Sequence, residues 1–185
     1  AMRSALQSLA CEEALLMEKY GYRFSFGPWN IHEGADPFGP EVRPSLTFAQ
    51  KLPLYKELGF DAVQFHDDDA VPNLDELSAA QVGRAASQMR QMLEDNGLVA
   101  EFVAPRLWES PRTIDGGFTS NNPAERKYAV DRTKQCADIA RELGCDLIVL
   151  WLAREGTYMR ESKNIVQSAH WLLEAVNSLL AYDKN

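Results

Sequence analysis

Along this chain of 185 residues the hydrophobic period switches from two to about 3.6 and back, four times in succession, and that alternation constrains the fold most. Tyr22–Phe26 alternates large and small side chains and stops at Gly27-Pro28, as a short strand does. Residues Leu46–Leu58 carry apolar side chains at helical spacing (Leu46, Ala49, Leu54, Leu58) and end at Gly59, although Pro53 lies inside and predicts a kink or a late start. Asp61–Phe65 predicts a second strand running into His66, and Ser78–Asn96 an amphipathic helix closed by Asn96-Gly97. Leu98–Ala104 predicts a third strand. Pro123–Leu143 predicts the longest helix, opened by Asn122-Pro123 and closed by Gly144. Asp146–Trp151 contains the run Leu147-Ile148-Val149-Leu150 and predicts a strand buried on both faces. Ser162 to about Tyr182 predicts a last helix with Ile165, Val166, Ala169, Leu172, Leu173, Val176 and Leu180 along one side.

Four βα units, preceded by an N-terminal helix over residues 1–20, imply an α/β protein with parallel strands and right-handed crossovers. A doubly wound sheet and half of a TIM barrel fit the order equally well. The loops after strands one (Gly27–Ser45) and three (Pro105–Asn122) are long, aromatic and glycine-rich, whereas the turns entering the strands are short. Decorated loops on the C-terminal side of parallel strands are where α/β enzymes keep their chemistry. No Gly-x-Gly-x-x-Gly follows any strand and no P-loop is present, which disfavours a nucleotide.

The net charge of −8 offers no basic stripe for nucleic acid and suits a neutral or cationic substrate. Cys11, Cys136 and Cys145 are too few and too scattered for a disulfide framework or a zinc knuckle. No run approaches the ~20 apolar residues needed to span a bilayer, and Glu12 and Glu13 break the partly apolar stretch at residues 5–16, so a cytoplasmic protein is expected.

The chemistry-bearing residues gather at strand ends. Strand two delivers Phe65-His66-Asp67-Asp68-Asp69. His66 and Asp69, three apart across a turn, can bond so that the carboxylate orients the imidazole as an acid or base. The acids could instead hold a hard cation, or form a solvated turn capping the next helix. Trp29, Trp108 and Trp151 follow strands one, three and four, and together would make flat apolar walls of the kind on which sugar rings pack. A lone tryptophan is far more often core, and it is three at consecutive strand ends that point toward a site. Asp36-Pro37-Phe38-Gly39 puts Phe38 on a turn, as a plug for its own subunit or a knob for a neighbour. His32 and His170 have no partner constellation, and His170, on a helix beside Trp171, reads as structural.

Five motifs occur in one order: Phe26-Gly27-Pro28-Trp29, Asp36-Pro37-Phe38-Gly39, Phe65-His66-Asp67-Asp68-Asp69, Asp115-Gly116-Gly117-Phe118-Thr119 and Trp151…Arg154-Glu155-Gly156. Together, across roughly residues 22–160, they resemble the xylose isomerase family in order and spacing. The resemblance implies a (β/α)₈ TIM barrel, assembled as a homo-oligomer (dimer or tetramer), that interconverts an aldose and a ketose, D-xylose to D-xylulose. The reaction is a hydride shift assisted by two divalent cations (Mg²⁺, Mn²⁺ or Co²⁺). By the same resemblance, His66 assists ring opening of the sugar with Asp69 as its orienting carboxylate, and Trp29 and Trp151 exclude water from the hydride path. Phe38 reaches an adjacent subunit's site. Trp108 stands where members commonly carry phenylalanine, and Ala104 where many carry a sugar-bonding threonine. The family's metal ligands lie on strands five to eight, so residues 21–185 correspond to the N-terminal half barrel, residues 1–20 to a helical extension, and this chain supplies no metal ligand. Alone it is expected to be inactive. A sugar epimerase-like barrel and a non-catalytic half barrel that dimerises are the alternatives.

Overall fold

The computed structural model describes residues 20–30, 44, 46–157 and 159–183. The expected N-terminal helix and Phe38 lie outside these residues. Three strands, β1 (Ser25–Phe26), β2 (Ala62–His66) and β3 (Val99–Ala104), form a parallel sheet in the order β1-β2-β3. Between and after them run α1 (Phe48–Glu57), a single helical turn α2 (Asp67–Ala70), α3 (Ala79–Asp95), α4 (Pro123–Leu143) and α5 (Ile165–Asp183). The central strand β2 is enclosed on both faces, as a parallel strand covered by helices should be.

Local chemistry sets the ends. Thr47 and Gln50 form a capping box at α1, and the Gln81 side chain accepts from the Ser78 backbone N–H (2.9 Å) at α3. The Asn122 side chain accepts from the Ala124 N–H (3.0 Å) with Pro123 as first helical residue, and Gly144 closes α4 at φ 73°, a conformation costly for any residue with a Cβ. These stops fall where the sequence places them.

Three expectations are corrected. First, α1 does not bury the stripe Leu46, Ala49, Leu54, Leu58. Leu46 precedes the helix, Leu58 is 72% exposed, and the enclosed side chains are Leu52 and Tyr55, with Phe48 packed beside them. Phe48, Leu52 and Tyr55 are spaced i, i+4, i+7 and share a face, whereas Ala49 and Leu54, five apart, do not. The helix begins two residues later than Leu46 and runs through Pro53. Second, the run Leu147–Leu150 is not a strand buried on both faces. It lies parallel beside β3 through one bridge, Val103 to Ile148, with Val103 N–H donating to Leu147 O and Val149 N–H to Val103 O (3.1 Å each). No described strand covers its far side, so Leu147 and Trp151 are exposed. Third, α5 turns Ser168, Leu172, Ala175 and Leu179 toward α4, while Ile165, Val166, Leu173 and Leu180 face outward.

The main core lies between the sheet and α1, α3 and α4, around Val63, Phe65, Leu93, Val103 and Ile139. One charged contact crosses it. Asp67, wholly enclosed, takes Arg132 of α4 in a two-pronged pair, Nε to Oδ2 at 2.8 Å and Nη2 to Oδ1 at 3.0 Å. Tyr128 Oη (3.1 Å) and Asp75 (3.3 Å) accept from the remaining nitrogen, Nη1. Breaking an enclosed pair from one side strands the other charge. Arg132→Met should therefore cost about 3 kcal/mol in urea unfolding. Arg90→Met, which breaks the exposed Arg90–Glu94 pair, should cost under about 1 kcal/mol.

Candidate functional site

The C-terminal ends of the parallel segments converge on a cleft of about 450 Å³ lined by Trp29, Gln64, His66, Arg106, Trp108 and Trp151 among others. Each wall has a local cause. After β1 the chain turns at Gly27 into the 3₁₀ turn Pro28–Asn30, and the Trp29 indole folds back over Gly27. A Cβ on Gly27 would sit 2.1 Å from that ring, so only glycine permits the approach. His66 ends β2 and caps α2. Trp108 follows β3 in its long loop, and Trp151 follows the bridged segment.

The His66 ring stands between two indoles, its centroid 4.2 Å from Trp29 in a tilted pair and 5.0 Å from Trp108 edge-on. Its Nδ1 donates to Asp69 Oδ2 at 2.7 Å, because a carboxylate only accepts. The backbone N–H of His66 reaches the same oxygen at 3.3 Å. That arrangement leaves Nε2 as the acceptor of the neutral ring. Burial alone would raise the Asp69 pKa, but the His66 hydrogen bond and the nearby Arg106 charge outweigh it and hold the carboxyl below its ordinary 3.8.

The three acids do not stand open. Arg106 Nη2 donates to Asp69 Oδ1 (2.6 Å), its Nε to Asp68 Oδ1 (2.7 Å), and its Nη1 to Glu109 (3.2 Å), while Asp67 belongs to Arg132. With every carboxylate engaged by a guanidinium the cluster offers no free acids to a cation, whereas the expected capping is present, since Asp69 accepts from the His66 N–H at the start of α2. Among the described residues no three His, Cys, Asp or Glu side chains converge as ligands would. The described residues therefore do not fit the two divalent cations.

The structure joins two motifs that the sequence shows apart. Glu155 accepts hydrogen bonds from the backbone N–H groups of Gly117 (3.0 Å), Phe118 (3.1 Å) and Thr119 (2.8 Å) and from the Thr119 hydroxyl (2.8 Å). Arg154 Nε donates to the Trp108 carbonyl at 3.3 Å. The enclosed Lys163 ammonium donates to the Asp115 carbonyl and lies 3.5 Å from its carboxylate. The loops that carry Trp108 and Trp151 are thus one latched unit.

His66, Asp69, Trp29, Trp108 and Trp151 are brought together; Phe38 lies outside the described residues, and His170 is exposed on α5. Sequence reading missed Arg106 and Arg132. The signal was available, since three consecutive acids at an enclosed strand end require counter-ions.

Parallel strands wrapped by helices, with an aromatic cleft at their C-terminal ends, define a protein of TIM-barrel type in its first βα units. The sequence profile of the xylose isomerase-like TIM barrel family matches residues 52–184, and the chain belongs to that family. It is 32% identical over 162 residues to the xylose isomerases of Thermus caldophilus and Thermus thermophilus, covering 87% of this chain and 41% of each relative. The chain thus spans about two fifths of those relatives' length. A crystal structure of D-psicose 3-epimerase in the presence of D-fructose superposes with a TM-score of 0.51 at 16% identity, over 74% of this chain and 43% of that one, a likeness of fold.

Two outcomes follow for the cleft. Gly27→Ala should displace the Trp29 indole from His66, read as a change in near-ultraviolet circular dichroism with the far-ultraviolet spectrum retained. The folded Asp69 carboxyl binds its proton less readily than the unfolded one, so its stabilisation is complete above about pH 4. It drains away as pH falls through the folded pKa. The stability difference between the parent and Asp69→Asn should be largest at neutral pH and shrink toward pH 2, measured by urea unfolding.

Proposed function

We propose that this chain is the sugar-handling part, residues 21–185, of an aldose-ketose isomerase that converts D-xylose to D-xylulose. The observation that carries the reading is the His66 imidazole in the cleft lining, held through Nδ1 by Asp69 between Trp29 and Trp108. Xylose isomerases 32% identical to this chain support the substrate class.

A cyclic aldose must open before its first two carbons can exchange oxidation state. Opening moves a proton from the anomeric hydroxyl to the ring oxygen, and a neutral imidazole with an unpaired Nε2 can accept the one and return it to the other. Asp69 keeps Nδ1 protonated throughout, so the working nitrogen stays the one that faces the sugar. The indoles of Trp29, Trp108 and Trp151 supply flat walls for the C–H face of the sugar and keep water from the reacting carbons. Gln64, Arg106 and Glu109 add polar groups to the lining. The cations that the resemblance implies find no ligand set in the described residues. In the assembled protein, a cytoplasmic homo-oligomer in this reading, Phe38 enters the cleft of an adjacent subunit.

Supplying the remaining βα units tests the reaction. The chain mixed with the C-terminal part of the Thermus thermophilus xylose isomerase, with Mg²⁺, should form a complex that produces xylulose from xylose. Substituting His66→Ala should lower that rate at least about 100-fold on the cyclic sugar. A complex that forms and instead inverts a carbon of a ketose supports an epimerase, and one that does neither removes the isomerase reading.

A further inference from the structure

Asp69 serves two donors at once. Its Oδ2 takes His66 Nδ1 at 2.7 Å and its Oδ1 takes Arg106 Nη2 at 2.6 Å. We propose that Arg106 is a positioning residue for His66, fixing through Asp69 the tautomer that presents Nε2 to the cleft. The inference rests on the reading of His66 as the working imidazole.

A carboxylate bonded to an imidazole alone can turn about its Cβ–Cγ bond and exchange its oxygens, and then constrains the ring loosely. Here the second oxygen is clamped. Arg106 is itself held at both ends: its backbone N–H donates to Asp67 Oδ1 (3.0 Å), and its guanidinium spans Asp68 (2.7 Å), Asp69 and Glu109 (3.2 Å). Its side chain is 17% exposed, so the fork has little freedom to swing. A planar guanidinium can address three carboxylates in fixed directions, which a lysine ammonium on a flexible stem cannot.

The charges around the ring fit this role. Asp67, Asp68 and Asp69 come from its own turn, Arg106 and Glu109 from the loop after β3, and Arg132 from α4, while Trp29 and Trp108 present uncharged faces. Among the described residues, Arg106 is the arginine or lysine that meets the carboxylate bonded to His66. Burial raises the Asp69 pKa, but the His66 hydrogen bond and, after it, the Arg106 charge outweigh that and favour the ionised carboxyl, the form that accepts the Nδ1 hydrogen. If Arg106 served only to neutralise acids, a lysine would do as well.

Long-range ¹H–¹⁵N correlation spectra of the three imidazoles, recorded on the 185-residue chain at a pH where histidine is neutral, read the tautomer directly. His66→Gln identifies the His66 signals. The parent should show His66 with Nδ1 protonated. In both Arg106→Gln and Arg106→Lys the ratio of Nδ1–H to Nε2–H tautomer should fall about ten-fold, the loss of one charge-assisted contact. Asp68→Asn, an isosteric change at a partly exposed side chain, loosens the Arg106 fork and should move the ratio the same way by less. It supplies the answer where an Arg106 variant does not fold.

A parent-like spectrum in Arg106→Gln overturns the proposal, because Asp69 then suffices alone. A parent-like spectrum in Arg106→Lys with an altered Arg106→Gln also overturns it, because charge and not the fork is then responsible. An unchanged ratio in Asp68→Asn is the third contrary result. None of these readings requires sugar, so adding D-xylose to the parent tests the proposed function separately, through the His66 Nε2 shift.

Discussion

Asp67 is wholly enclosed, and its carboxylate receives the guanidinium of Arg132 from α4 and the backbone N–H groups of Arg106 and Asp68. Four separate requirements meet at that side chain: the end of β2, the turn α2, the start of the loop after β3, and the seat of α4. An ionised acid in an apolar interior is tolerated only when each lone pair has a donor, so the pair does not merely add stability. It dictates that these four segments arrive together. The cleft inherits its geometry from this node, since Asp68 and Asp69, one and two residues on, are then directed toward Arg106.

Two arginines serve the three aspartates: Arg132 takes Asp67, Arg106 takes Asp69, and both reach Asp68, at 2.7 Å from Arg106 and 3.4 Å from Arg132. Arg132 works from beneath and is almost out of reach of solvent, whereas Arg106 stands at the edge of the cleft and touches the acid that orients His66. A second latch acts on the opposite wall. Four donors converge on the Glu155 carboxylate and join the loops bearing Trp108 and Trp151, so the aromatic walls are set by polar contacts behind them. Rigid walls of this kind cost little ordering when a sugar packs against them.

Much of this was legible in the chain. Glycine and asparagine stops marked Gly59, Asn96 and Gly144 because helix ends leave carbonyls that only certain residues can satisfy. His66 and Asp69 could be paired from spacing alone, because a single turn forces residues three apart into contact. The facing of α1 and α5 was not legible. Both helices carry apolar residues around much of their circumference, and a periodicity argument then depends on where the helix starts and what it packs against. The run Leu147–Leu150 reads as an enclosed strand, yet enclosure is a property of its neighbours and not of its own composition. Arg106 and Arg132 escaped because their partners lie 37 to 65 positions away in sequence.

In the proposed function the aromatic cleft receives a sugar with His66 at its centre. The most direct measurement is a titration of the chain with D-xylose followed by the indole ¹H–¹⁵N resonances of its four tryptophans. Trp29, Trp108 and Trp151 line the cleft, while Trp171 lies on α5 beneath Arg126 (3.9 Å) and serves as an internal reference. Sugar bound in the cleft should give saturable shifts in the three cleft indoles, together with the His66 ring, and none in Trp171. Shifts confined to Trp171, or no shift in any cleft indole up to molar xylose, would contradict it.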